Sequence, residues 1–417
     1  MNAFARSLGS LTARTRLWLA FVVVHLVLCA LNLWGPGLPL GDVTETYVAW
    51  ARNAQLGLGR MGIDQAWVYP ILAFVPMAMS LYVPFLSYGQ AWLLIVSVLN
   101  AAGFWLLLGR GVLTRSRCAA AKWWLVFLIL LGPIALGRID AVTVPFAIAG
   151  LLWALGRPRL SSALLTVGAW IKVWPAAVLA GLFITSRRRW HVLWVAMTIS
   201  ALVSAASLAA GAGWNTFGFV AQQAGRGLQV ESLGAIPFLW AIVLGSADHA
   251  VVYNRDILTF EVIGPGTGWV ASLLTPLMLA AVVIVAGLGL LATWRGARTA
   301  RVLPELALGL TMALIVTNKV GSPQYISWLA PVVIYGIVIA RSRFGVPAGL
   351  ALAIAAITQV IYPYLYPYLL DAAWWQVIFI TIRAVLEIWV VVWVARSLWS
   401  AARTPQPLMT RGGPGVR

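Results

Sequence analysis

Residues 17–34 read LWLAFVVVHLVLCALNLW, eighteen positions without an Asp, Glu, Lys or Arg. An α-helix rises about 1.5 Å per residue, so a run of this length crosses most of the roughly 30 Å of hydrocarbon in a bilayer. Comparable runs recur near 88–109, 190–211, 269–294, 302–317, 324–340, 344–361 and 373–395. With 62% hydrophobic and 10% charged residues among 417, and a mean hydropathy of +0.91, no soluble core of ordinary design buries this much apolar surface. The chain reads as an all-α polytopic membrane bundle.

The first run follows Arg6, Arg14 and Arg16 and lacks an Ala-x-Ala-like cleavage site, so it reads as a retained anchor and not a signal peptide. A formal charge of +18 would suggest nucleic acid in a soluble protein. Here 21 of the 29 Lys and Arg fall at the N-terminus, in the segments 110–122, 157–159, 187–189, 295–301 and 341–343, and in the tail from Arg396. The positive-inside rule makes these cytoplasmic, with both termini inside and no nucleic-acid partner. Ten of the 11 acids then lie outside or toward the outer half, Glu305 being the exception. Cys29 and Cys118 have neither metal nor redox spacing. Arg far outnumbers Lys, which fits a GC-rich bacterial genome, and the polytopic pattern then reads as a plasma-membrane protein.

About a dozen membrane segments follow from this pattern. Four are short, 123–136, 142–155, 160–171 and 173–185, and form two hairpins whose turns, "GRID" at 137–140 and "IKVWP" at 171–175, reach the outer half of the bilayer. Broken helices at membrane depth persist where they line a cavity, so these turns are expected to line one. Long external segments, about 35–87 and 213–268, carry helices lying at the interface, the first with apolar residues from Val43 to Leu58 at helical spacing. Residues 1–402 read as a single membrane domain and 403–417 as a disordered, basic cytoplasmic tail.

The loops 41–69, 225–235 and 317–325 could converge with the two turns on one external cavity. Ionisable residues at membrane depth are costly and more often functional than scattered surface charges. Asp42 supports two roles: the N-cap of a helix starting at Val43, with Glu45 completing a capping box, or a carboxylate that accepts a hydroxyl proton. Asp64 is a second acid beside Trp67 and Tyr69, readable as a solvated loop charge or as a substrate contact. Arg138 and Asp140 either pair with each other across their turn or meet substrate. Lys172 and Lys319 have no acid adjacent in sequence, which favours an anionic ligand such as phosphate. Glu231 suits substrate or structural hydrogen bonding, with a share in catalysis as the alternative. Arg383 and Glu387, one helical turn apart, read as a neutralising pair, and His25 as a packed or hydrogen-bonded residue. The histidines cannot assemble a metal site, and no nucleotide loop or Ser-His-Asp set is present.

Taken in order, Asp42 with Tyr47, Tyr69-Pro70, "GRID", "IKVWP" followed by "RRRW", and "NKVGSPQY" before a late span give the chain a resemblance to glycosyltransferase family 87 of the GT-C superfamily, over about residues 17–400. This family includes polyprenyl-phosphate-mannose-dependent, phosphatidylinositol-mannoside mannosyltransferases. The resemblance implies inverting transfer of a sugar, mannose above all, from a polyprenyl-phosphate donor to a glycolipid or cell-envelope glycan at the outer membrane face. It further implies Asp42 as general base, a substrate-binding set of Glu45, Asp64, Tyr69, Arg138, Asp140, Lys172, Glu231, Lys319 and Gln324, and neither a metal nor a separate cofactor. A transporter or lipid flippase is the competing class; it predicts related halves, and no internal repeat is visible.

Overall fold

The computed structural model describes residues 12–255 and 258–403. Arg6, Asp256 and residues 404–417 of the expected tail at 403–417 lie outside the described residues, while Arg403, its first residue, ends a helix. Twelve helices build the bundle: α1 (Ala13–Trp34), α2 (Tyr88–Leu108), α3 (Arg115–Leu131), α4 (Asp140–Trp153), α5 (Pro158–Ile171), α6 (Pro175–Thr185), α7 (Arg189–Ala209), α8 (Thr267–Trp294), α9 (Thr299–Val316), α10 (Leu329–Ala340), α11 (Gly345–Gln359) and α12 (Trp374–Arg403). Among the described residues, nine helical stretches are long and apolar enough to cross a membrane. Because successive helices alternate in direction, the basic turns after α2, α4, α6, α8 and α10 gather at one end. The long connections after α1 and α7, and the turns that precede α4, α6, α10 and α12, gather at the other.

Local chemistry sets several helix starts. Thr12 caps α1 by accepting from Thr15 N at 3.2 Å, and Ser87 with Gln90 forms a reciprocal capping box on α2. Pro158 and Pro175 open α5 and α6 at the position where the missing N–H costs nothing. With 14, 14 and 11 residues, α4, α5 and α6 are too short to span. The pairing of α5 with α6 is thus a hairpin of two short helices, as expected for 160–185.

One boundary differs from expectation. The segment read as a short piece from Trp123 begins at Arg115, capped by Thr114, and continues through a tight turn at Gly132–Ala135. The charges of Arg115, Arg117 and Lys122 do not end the helix, because the alanines 119–121 favour it and long basic side chains reach water past an apolar stem. The first hairpin is consequently a full-length helix paired with a short one.

The core is the interior of the bundle, where α9 and α10 bury nearly every side chain. Several of its charged and polar residues are matched. Glu305 is buried between Arg301 and Arg343 at the basic end, and His25 meets Phe21 O at 2.9 Å and Asn100 at 3.2 Å. Arg383 and Glu387 pair at 3.5 Å, as their spacing predicts. Cys29 and Cys118 are free thiols. The connection between α7 and α8 contains the sequence's least expected element, an antiparallel pair β1 (Ala250–Asn254) and β2 (Thr259–Ile263) in register Val252↔Glu261. Residues 228–230 add to its edge through Val230 N to Phe260 O at 3.1 Å and Val262 N to Leu228 O at 2.9 Å. This small sheet fixes the backbone that carries Glu231.

Candidate active site

At the end opposite the basic turns lies a polar hollow of about 390 Å³. Asp42, Tyr69, Arg138, Lys172, Glu231 and Gln324 all line it, so residues more than 280 positions apart in the chain share one space.

Asp42 does not cap a helix. The helical turn starts earlier, with Thr44 N bonded to Leu40 O at 3.0 Å, and the capping position falls to Gly41 without a side-chain bond. Asp42 opens a wide turn in which Val48 N reaches back five residues to Val43 O. Its carboxylate is thereby released from the backbone and meets Arg138, with Oδ2 3.0 Å from Nε. Arg138 is buried, donates through Nη1 to Pro39 O (2.6 Å) and Gly137 O (2.8 Å), and through Nη2 to the Tyr362 hydroxyl. Burial works against its charge, but Asp42 together with the surrounding tyrosines Tyr362, Tyr47 and Tyr69 more than offsets this and holds the guanidinium protonated. With all three guanidinium nitrogens engaged by the protein, Arg138 orients Asp42, whose side chain remains 45% exposed to the hollow.

Arg138 and Asp140 therefore do not pair across their turn. Asp140, 1% exposed at the first position of α4, accepts from Trp328 Nε1 at 2.6 Å through Oδ1 and faces Lys172 Nζ at 3.4 Å through Oδ2. It stands behind the wall of the hollow, and Lys172 forms the wall. The ammonium lies 4.6 Å from the Tyr69 ring and 5.6 Å from Tyr325. Sequence adjacency suggested a lysine without an acid; the turn between α5 and α6 instead delivers it to an aspartate 32 positions earlier. Burial works against the ammonium charge, and Asp140 with Tyr69 and Tyr325 together hold Lys172 in the charged form.

On the far wall, Glu231 is 5% exposed, with Oε2 3.5 Å from Arg383 Nη1, while Arg383 Nη2 donates to Glu231 O at 2.8 Å. Burial pushes the Glu231 carboxyl up to about 7, against the opposing pull of Arg383. The strand-edge backbone at 229–232 packs against the turn 319–321, with Gln229 N donating to Lys319 O at 3.0 Å. Glycine is required at this crossing. A Cβ on Gly321 would sit 2.1 Å from Ser232 N and 2.2 Å from Glu231 C. We expect Gly321→Ala to separate the two loops and lower the thermal midpoint by several degrees, the consequence of about 1–3 kcal/mol of overpacking. A midpoint within one degree of wild type in a melting experiment would contradict this crossing.

Lys319 faces a second hollow of about 460 Å³, whose walls include Val173, Trp174, Phe219, Val220, Met278 and Leu314. Partial burial, with Arg226 nearby, holds its ammonium below the ordinary lysine range. The two hollows meet at Val68, Lys172 and Tyr325, which line both. One is polar and the other apolar, with cations at the junction.

Two expected residues lie elsewhere. Glu45 is exposed and outside both linings. Asp64 closes an exposed turn with Arg60, at 2.7 Å to its backbone N and 2.9 Å to Nη2, and the Arg60 side chain holds its carboxyl below the ordinary range. Sequence reading singled out Trp50 as a ring that could stack on a sugar, and it lines the polar hollow, but it missed Arg226, which lines the same hollow with its Nε buried and unpartnered, and the aromatic wall of Tyr362 and Tyr366. Among the described residues, no three His, Cys, Asp or Glu side chains are grouped to hold a metal.

A cavity of this size accepts a sugar-sized substrate, with carboxylate, cations and aromatic faces on its walls. No curated protein matches the chain. The model of glycosyltransferase family 87 matches residues 67–317, more than half of the sequence, beginning after Asp42 and ending before Gln324. With nine membrane-length helices and this match, the chain belongs to glycosyltransferase family 87, and is a membrane-embedded enzyme that moves a sugar from a donor to an acceptor.

Proposed function

We propose that the protein transfers mannose from a polyprenyl-phosphate donor to a glycolipid or cell-envelope glycan at the outer face of a bacterial plasma membrane, with inversion at the anomeric carbon. The observation that carries this reading is the junction of the polar and apolar hollows at Lys172 and Tyr325. A lipid-linked sugar phosphate has the same division: a prenyl chain for the apolar hollow, a sugar for the polar one, and a phosphate between them. The basic turns at the opposite end support the outer-face orientation.

In the proposed reaction the acceptor hydroxyl oxygen attacks the anomeric carbon, and its proton passes to Asp42. The bond from that carbon to the phosphate oxygen breaks on the opposite side, and its electron pair leaves with the polyprenyl phosphate. Base and leaving group on opposite faces of the sugar give inversion. Lys172, Lys319 and Arg226 stabilise charge on the departing phosphate, and Tyr69 and Trp50 offer ring faces to sugars. Glu231 and Gln324 supply polar contacts on the far wall. Lipid-linked sugar phosphate is itself the activated substrate, so the reading invokes no separate cofactor.

Purified protein in detergent, given polyprenyl-phosphate-mannose and a glycolipid acceptor, is expected to form mannosylated product detectable by mass spectrometry, whereas a nucleotide-mannose gives none. Product from the nucleotide sugar alone would overturn the donor assignment. Translocation of lipid in sealed vesicles with no glycosidic product would favour the flippase class.

A further inference from the structure

We propose that the cleft between α1 and α3 at the basic end holds an anionic glycerophospholipid of that leaflet, at a site separate from the sugar-transfer cavity. The cleft measures about 580 Å³, and α1 contributes Ala13, Arg16, Leu17, Ala20 and Val24 to it, while α3 contributes Cys118, Lys122, Leu125, Val126 and Ile129. Both helices start at the basic end and run in the same direction. Each therefore presents a cation near its start, after a single small side chain (Ala13 or Cys118), and apolar side chains beyond it. From Arg16 to Val24 and from Lys122 to Ile129 the rise is about 10–12 Å, enough to take the upper half of an acyl chain below a headgroup held at the cations.

Charge complementarity selects the occupant. Among the described residues neither the Arg16 nor the Lys122 side chain makes a hydrogen bond or ion pair, although Arg14 beside them is spent on Gly111 O at 2.7 Å. No acid lines the cleft. A neutral lipid would fill the apolar walls equally well but leave both cations facing the headgroup layer uncompensated. A phosphate diester with net negative charge meets both. Basic pockets between membrane helices bind anionic headgroups by this combination of apolar wall and charged rim.

The chain has two cysteines, and Cys118 lines the cleft, so Cys29→Ser leaves one thiol that reports occupancy. Full-length protein in this background would be placed in bilayer discs of phosphatidylcholine alone or mixed with phosphatidylglycerol, then labelled with a maleimide and analysed by native mass spectrometry. Phosphatidylglycerol is expected to slow Cys118 labelling several-fold and to be retained in preference to phosphatidylcholine. The double variant Arg16→Gln/Lys122→Gln is expected to lose roughly tenfold or more of that preference. Val126→Trp, at a 45% exposed position, fills the cleft while keeping both cations and is expected to abolish retention. Equal retention of both lipids by the wild type, or undiminished phosphatidylglycerol retention by a folded double variant, overturns the site. Sugar-transfer activity is read separately and does not decide it.

Discussion

Asp42→Asn is expected to lower kcat by about 10²–10⁴-fold, the usual worth of a positioned general base, with the thermal midpoint little changed. The substitution preserves shape and leaves an amide oxygen where Oδ2 now meets Arg138 Nε at 3.0 Å. Arg138 keeps its bonds to Pro39 and Gly137, so the buried guanidinium is not abandoned. What disappears is the ability to accept a proton, together with the negative charge beside Arg138, whose loss the exposure of Asp42 to solvent softens. The larger change to Ala removes Arg138's acid partner altogether and is expected to destabilise as well, which makes Asn the informative variant. Initial rates at saturating donor and acceptor, alongside a melting curve, provide the measurement. A rate within a few-fold of wild type would remove Asp42 from the proposed chemistry and leave it as an anchor for Arg138.

The second large effect concerns Lys172 and separates stability from substrate binding. Lys172→Met strips the counter-charge from Asp140, which is 1% exposed and has no hydrogen-bond partner at Oδ2. Breaking a buried pair by removing one member costs about 3–5 kcal/mol, so this variant is expected to melt far below wild type or fail to accumulate. Adding Asp140→Asn removes the orphaned charge and is expected to recover most of the stability. If Lys172 also holds the donor phosphate, the double variant remains impaired in a specific way. Its KM for the lipid-linked donor rises about ten- to a hundredfold, matching the roughly 1.5–3 kcal/mol of a hydrogen bond to a charged group, while KM for the acceptor stays near its starting value. A stable double variant with an unchanged donor KM would confine Lys172 to a structural role.

Much of the bundle was legible because bilayer physics writes itself locally. Length and apolarity of single segments gave the spans, and the basic turns gave the two ends. Eight Lys and Arg fall outside those basic segments: Arg52, Arg60, Arg138, Lys172, Arg226, Arg255, Lys319 and Arg383. Four of them, Arg138, Lys172, Arg226 and Lys319, line one hollow or the other. Cations that break the charge asymmetry were thus the available signal for Arg226. Asp64 shows the opposite error, since a carboxylate in an aromatic-rich loop carries no mark telling a turn closed by Arg60 from a cavity wall.

The order of spans, their short members and the crowding of acids toward one end were determined by the sequence alone, since each depends on the chemistry of contiguous residues and their transfer into hydrocarbon. Tertiary structure decided the pairings. Asp42 found Arg138 across 96 positions and Asp140 met Trp328 across 188, because ion pairs and hydrogen bonds inside a bundle follow from which helix ends pack together. Local spacing offered Asp42 a cap and Arg138 a neighbour at Asp140, contacts worth about 1 kcal/mol each. The packed bundle replaced both with partners that match charge at depth, where an unpaired ion costs several times as much.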